Sequence, residues 1–224
     1  MQEDVLVKEY FIDLCQNLAR LDLEVGSSGN LSVKSSSGMV YITPSGAEFG
    51  DITQDNLSII KDPTGDVFTG QKPSSDLVSH LSIYNTRKDV RAILHTHAHP
   101  IVLSAMIEQP IPVLNTMHAD YFGGKIQATP FSNHRKTGFG LLKYFEKGNV
   151  FLLAKHGGLL LFPKSDVATI INTMRAFNEV CSLYYDFLAI HHHVPEDIRE
   201  ISDDDLAHIH TYYQTKYGRN ASGQ

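Results

Sequence analysis

The sequence predicts a layered domain, α/β or α+β, built on a largely antiparallel sheet. Short apolar strands follow one another closely from about residue 31 to residue 68, and more follow in the second half. Amphipathic helical patterns flank them near both ends of the chain. No internal repeat, low-complexity tract or linker divides the 224 residues, so one domain over 1–224 is expected.

Residues Glu3 to Ala19 place Val5, Leu6, Phe11, Leu14 and Leu18 on an amphipathic helix. A polar loop, Gly26-Ser27-Ser28-Gly29-Asn30, leads into a strand at Leu31–Lys34, and a turn at 35–38 leads to a second at Met39–Thr43. Leu57–Ile60 reads as a third strand, and Val67-Phe68 begins a fourth. Pro73-Ser74-Ser75-Asp76 is a helix start, because capping side chains precede Leu77, His80, Leu81 and Tyr84 at helical spacing. A strand ending near His95 comes next, then a short helix after Pro100. Strands near Ile126–Ala128 and Val150–Ala154 bracket a helix around Lys136 to Lys147, and Leu159–Phe162 is a further strand. A long helix from about Asp166 to Ile190 carries Ile170, Met174, Phe177, Val180 and Tyr184 in one stripe. Asp203-Asp204-Asp205 opens a last helix.

Composition narrows the function. Hydrophobic residues make up 42% and charged residues 20%, ordinary values for a globular protein. No apolar run approaches the roughly 20 residues that span a bilayer, so no membrane partner is expected. The acidic start, Met1-Gln2-Glu3-Asp4, lacks a signal-peptide pattern, and Cys15 and Cys181 lack metal or scaffold spacing. A cytoplasmic location is the expectation. Net charge is -6 with no basic block, which argues against nucleic acid as a partner. An anionic ligand would therefore need local donors.

The chemistry centres on Ile93-Leu94-His95-Thr96-His97. Residues two apart on a strand share a face, so His95 and His97 would aim two imidazoles at one point. A lone His-x-His pair among twelve histidines is more often packing or surface than metal. His156 follows another apolar run and could reach the same point from a different strand. Three histidines with one open position are the ligand set of a catalytic zinc site, although such sites also accept manganese or cobalt. Asp76 is the natural fourth group; taken alone, it would only cap its helix. The tract His191-His192-His193 could be a metal tract, but it sits at a helix end, where contact with the dipole and solvent explains it better.

Three polar turns offer donors for a phosphate: Ser27-Ser28-Gly29-Asn30, Thr43-Pro44-Ser45-Gly46 and Ser74-Ser75. Each presents backbone N–H groups beside a hydroxyl or amide, which suits an anion without requiring lysine. Singly, each is only a turn, and no Walker or GxGxxG pattern is present.

Gly26-Ser27-Ser28-Gly29-Asn30-Leu31-Ser32, Thr43-Pro44-Ser45-Gly46, Lys72-Pro73-Ser74-Ser75-Asp76, His95-Thr96-His97 and His156-Gly157 occur in the order and spacing of the class II aldolase/adducin family, which the chain resembles over roughly residues 5 to 190. The resemblance implies a three-layer α/β/α sandwich with a central, mainly antiparallel sheet. It also implies a C4 homotetramer with active sites between subunits, acting on a sugar phosphate. It makes His95, His97 and His156 ligands of one Zn2+ per subunit, and puts Asp76 where the aldolases carry a glutamate that binds metal and acts as base. Ser27, Gly29, Asn30, Ser45, Gly46, Ser74 and Ser75 match its phosphate-binding positions.

Within that family the chain is divided. Its Ser-Ser-Gly-Asn loop, Thr-Pro-Ser-Gly turn and Lys155-His156-Gly157-Gly158 resemble the aldolases. Aspartate at position 76, the segment His118-Ala119-Asp120-Tyr121-Phe122 and the pair Tyr217-Gly218 resemble the ribulose-phosphate 4-epimerases, which makes Asp120 and Tyr217 candidate catalytic residues. The tyrosine that fuculose aldolases use near Met117 is absent, with Tyr121 close by. The favoured expectation is reversible aldol cleavage of a phosphorylated ketose through a metal-stabilised enediolate. The 4-epimerase reaction, decarboxylation of a 3-oxo sugar-acid phosphate and a non-catalytic adducin-like module are the alternatives.

Overall fold

Asn30–Lys34 (β1) and Ala92–Thr96 (β5) form the centre of the molecule, pairing antiparallel with Leu31 opposite Leu94. A computed structural model describes residues 2–61, 66–132, 138–191 and 198–216. Beyond β1 lie Met39–Ile42 (β2), Ser58–Lys61 (β3) and Asp66–Thr69 (β4); beyond β5 lie Gly157–Phe162 (β8), Val150–Leu153 (β7) and Gln127–Thr129 (β6). The order is β4-β3-β2-β1-β5-β8-β7-β6. Every pairing is antiparallel except β6 with β7.

Alternation along the strands sorts the apolar residues into two cores. Leu31, Leu94 and Leu160 lie side by side on one face, where Gln2–Ala19 (α1), His99–Met106 (α3) and Val167–His191 (α5) bring Phe11, Leu14, Ile101 and Phe177 against them. Val40, Ile60, Ile93 and Leu161 face the other way, against Leu81 and Tyr84 of Leu77–Thr86 (α2) and Phe145. Each fully buried side chain of this size contributes about 1.5–3 kcal/mol. The result is the expected α/β/α sandwich with a mainly antiparallel sheet. The central strand β8 is buried at all six positions, which is why it reads as a continuous apolar run.

The elements depart from expectation in three places. Thr116–Phe122 is a helix (α4) that the apolar pattern does not announce; its signal is Asn115, whose side chain accepts the His118 N–H at 2.8 Å as an N-cap. The helix expected around Lys136 to Lys147 is a 3-10 helix, Gly138–Tyr144, over its described part. Arg87 holds the following turn, donating to the carbonyls of Phe145 and Gly148 at 2.9 and 2.8 Å. His156 stands not on a strand but in the turn between β7 and β8. Asp203–Thr215 (α6) packs on α4. No described helix is long and apolar enough to cross a membrane.

Candidate active site

The strand alternation that sends Leu94 into one core turns His95 to the opposite face, under the start of α2. His95 Nδ1 lies 2.9 Å from the Gly158 carbonyl of β8. A carbonyl only accepts, so Nδ1 carries the proton and Nε2 keeps its lone pair. Gly157 and Gly158 make that approach feasible: a Cβ at 157 would lie 2.4 Å from the Thr96 carbonyl oxygen, and one at 158 would lie 2.4 Å from Phe177. His97, just past the end of β5, brings its Nε2 to 2.8 Å from His95 Nε2. His156 arrives through Lys155, whose φ of 57° reverses the chain, and its ring centroid stands 4.6 and 4.5 Å from those of His95 and His97.

These three are the one histidine, cysteine or acidic group among the described residues whose ligand atoms converge, all within 4.8 Å of one another. Tetrahedral ligands about 2.0–2.1 Å from a cation sit about 3.3 Å apart, well inside that envelope. Burial pulls the His95 pKa down to about 4, and the Asp76 charge only partly offsets this. A neutral imidazole with an inward lone pair is what a divalent cation requires, so the residues present fit one.

Asp76 occupies the N-cap position of α2 but makes no capping hydrogen bond. Its Oδ2 instead accepts from Asn30 Nδ2 at 2.8 Å and lies 4.0 Å from His95 Nε2. The two turns that precede β3 and α2 are laced together: Ser74 N–H donates to the Thr43 carbonyl at 3.0 Å and Ser45 N–H to that of Lys72 at 2.9 Å. Thr43 Oγ1 in turn accepts the Leu31 N–H. Thus all three polar turns and the histidines border one cleft of about 230 Å³, whose lining includes each of Ser27, Gly29, Asn30, Ser45, Gly46, Ser74, Ser75 and Asp76.

Other expected residues lie elsewhere. Asp120, on α4, does not line this cleft within one chain; burial raises its carboxyl pKa, while His210 opposes the shift. Tyr217 lies outside the described residues, as do His192 and His193. His191 packs its ring on Phe187 and joins no metal group among the described residues.

Two residues carry no sequence signal. Glu24 accepts hydrogen bonds from Thr96 Oγ1 and from the His97 N–H at 2.8 Å; burial raises its pKa and these donors counter the rise. His80, fully buried behind Asp76, bonds Ser32 Oγ through Nδ1 at 2.7 Å, and burial lowers its pKa to about 4. The Ser-Gly-Asn loop pattern points past Glu24, and the apolar stripe of α2 hides His80.

A cation held by the histidines, beside a cleft of hydroxyls and amides, would serve Lewis-acid chemistry on an anionic substrate, which is the chemistry of a metal-dependent lyase. The chain belongs to the family described as Class II Aldolase and Adducin N-terminal domain, whose model matches residues 9–185. It is 30% identical over 230 residues to the L-fuculose phosphate aldolase of Escherichia coli (strain K12), spanning 97% of this chain and 98% of that one. The 3-oxo-tetronate 4-phosphate decarboxylase of Haemophilus influenzae is 27% identical over 192 residues, 81% of this chain and 88% of the relative. A solved L-fuculose 1-phosphate aldolase superimposes with a TM-score of 0.81 at 25% identity, covering 93% of this chain and 96% of that chain.

Proposed function

We propose that this chain is a zinc-dependent aldolase that reversibly cleaves a phosphorylated ketose of the L-fuculose 1-phosphate type. One observation carries the reading: the three imidazoles and the three polar turns share a single cleft, so a cation and a phosphate bound there would lie within one small molecule's length. The relatives named as L-fuculose phosphate aldolase, matched over nearly the whole chain, support the choice of substrate class.

His95, His97 and His156 would hold the cation, which when bound supplies Lewis-acid polarisation of a carbonyl and offsets charge developing on it. Ser27, Gly29, Asn30, Ser45, Gly46, Ser74 and Ser75 bind the phosphate, using N–H and O–H donors in place of lysines. Asp76 takes the proton from the substrate hydroxyl, its carboxylate oriented by Asn30 Nδ2 at 2.8 Å. His95 stays fixed in one tautomer by Gly158. Asp120, outside the cleft of its own chain, donates a proton in an adjoining subunit's cleft to the carbon that keeps the electron pair when the aldehyde departs. That role goes with a C4 homotetramer, one domain per subunit, working in the cytoplasm.

A second reading, decarboxylation of a 3-oxo sugar-acid phosphate, is favoured by the decarboxylase among the relatives. Both reactions leave an electron pair next to a carbonyl and use the same cleft. Purified protein incubated with L-fuculose 1-phosphate is expected to release dihydroxyacetone phosphate, to stop after chelation and to recover with zinc. Carbon dioxide release from a 3-oxo acid phosphate, or interchange of ribulose and xylulose 5-phosphates, without aldol cleavage would overturn the aldolase assignment.

A further inference from the structure

Glu24 belongs to none of the motifs that mark the site, yet one carboxylate joins both halves of the cleft. Thr96 Oγ1 donates to Oε1, while the His97 N–H donates to Oε2 at 2.8 Å and Ser28 Oγ donates to Oε2 at 3.4 Å. The first two donors belong to the metal-ligand end of β5 and the third to the anion loop. Thr96 Oγ1 also accepts the Ala98 N–H at 3.2 Å, so the bond to Glu24 braces the chain on both sides of His97. Gly29 completes the joint. Its φ is +89°, and a Cβ there would lie 2.9 Å from both Glu24 Oε2 and the His95 carbonyl oxygen. Only a residue without a side chain lets the loop close onto this carboxylate and strand.

We propose that Glu24 is a positioning residue that locks the Ser27–Asn30 loop to the metal-ligand end of β5, setting the affinity of the cleft for both cation and phosphate. The inference rests on the reading of the histidines as a metal site. A carboxylate next to an anion loop repels phosphate through its charge and favours it through the loop geometry it holds. The two contributions therefore have opposite signs, and substitution separates them. Glu24→Gln removes the charge but keeps the reach and an acceptor oxygen. Glu24→Ala removes both, leaving the His97 N–H and the Thr96 hydroxyl without their acceptor.

The test titrates metal-free protein with cobalt(II), followed by its visible absorption, and separately with inorganic phosphate by calorimetry. Glu24→Ala is expected to weaken cobalt binding by about 10–100-fold, the usual effect of losing a group that orients a ligand, and to alter the cobalt spectrum. It should also weaken phosphate binding, while Glu24→Gln recovers the cobalt affinity and binds phosphate at least as well as the parent protein. Phosphate binding that tightens in Glu24→Ala would show that only charge matters and would overturn the proposal, as would unchanged cobalt affinity. Where Glu24→Ala does not fold, Thr96→Val removes one of the same hydrogen bonds with little change of shape; it is expected to weaken cobalt binding, and parent-like affinity overturns the role. A parent protein that binds no cobalt refutes the metal site itself, whereas a parent that binds it no better than Glu24→Ala refutes only the role of Glu24.

Discussion

Mild acid is expected to destabilise this fold before most of its carboxylates protonate, and His80 makes the effect measurable. In the folded chain its pKa is lowered to about 4, first by burial, with the charge of Asp76 working against the shift. In the unfolded chain an ordinary histidine titrates near 6.5. Below that value the unfolded state takes up a proton that the native state refuses. The stability held by neutral His80 is therefore complete above about pH 6.5, is lost progressively as the pH falls from there to about 4, and changes little below that. Linkage between those two values gives a loss of about 2 kcal/mol at about pH 5, and about 3 kcal/mol at the acid limit. Burial lowers the His95 pKa as well, so its protonation in the unfolded chain adds to the loss in the same direction. Against a total stability of about 5–15 kcal/mol, the pair brings the domain near its unfolding threshold.

The assay is urea unfolding of metal-free protein followed by circular dichroism, since the chain has no tryptophan to report by fluorescence. Leaving the metal out removes the protons that cation release would add. His80→Asn keeps a polar group within reach of Ser32 and costs about 1–2 kcal/mol at neutral pH for the space it vacates. Its loss of stability between about pH 7.5 and about pH 5 should be smaller than the parent's by about 2 kcal/mol. Equal losses in the two proteins would refute the argument, because a native imidazole that protonates freely has no depressed pKa to lose.

Three further outcomes follow from the same geometry. Gly158→Ala sets a methyl 2.4 Å from Phe177 and 2.8 Å from Ile101; it should lower stability by about 1–3 kcal/mol in the same unfolding assay, and a neutral result would mean that β8 has room to shift. Asp76→Asn should reduce kcat by about 10²–10⁴-fold while cobalt binding persists, as expected of a base; cobalt loss in parallel would make Asp76 a permanent ligand instead. Ser75→Ala, removing a donor from the cleft, should raise KM for a phosphorylated substrate by about tenfold or more with little change in kcat, and an unaltered KM would exclude Ser75 from phosphate binding.

Much of this protein is legible in local pattern. Alternating apolar residues mark β1, short continuous apolar runs mark β2, β5 and β8, and the 3.6-residue stripe marks α1 and α5, because each pattern reports burial within a single element. His95 and His97 are readable as a pair for the same reason, since period two is a property of the strand itself. The Gly-Asn and Ser-Gly turns announce donor-rich backbone through their residue types alone. Where an element's start depends on one capping bond, as at Asn115, the apolar pattern passes over it.

Convergence is a different matter. His156 lies about sixty residues beyond His95, and it reaches the site from a turn with a left-handed Lys155, which no strand periodicity describes. The strand order that puts β8 beside β5 brings the Gly158 carbonyl to the ring Nδ1 of His95, and burial in that sheet lowers the imidazole's pKa. Glu24 has no motif because its work is done on Thr96 and His97, far along the chain. Residue types and short-range spacing thus determined which groups were available, since local sterics and burial act over a few residues. Long-range packing alone decided which of them meet and in what protonation state, because desolvation and hydrogen-bond partners are properties of the assembled interior.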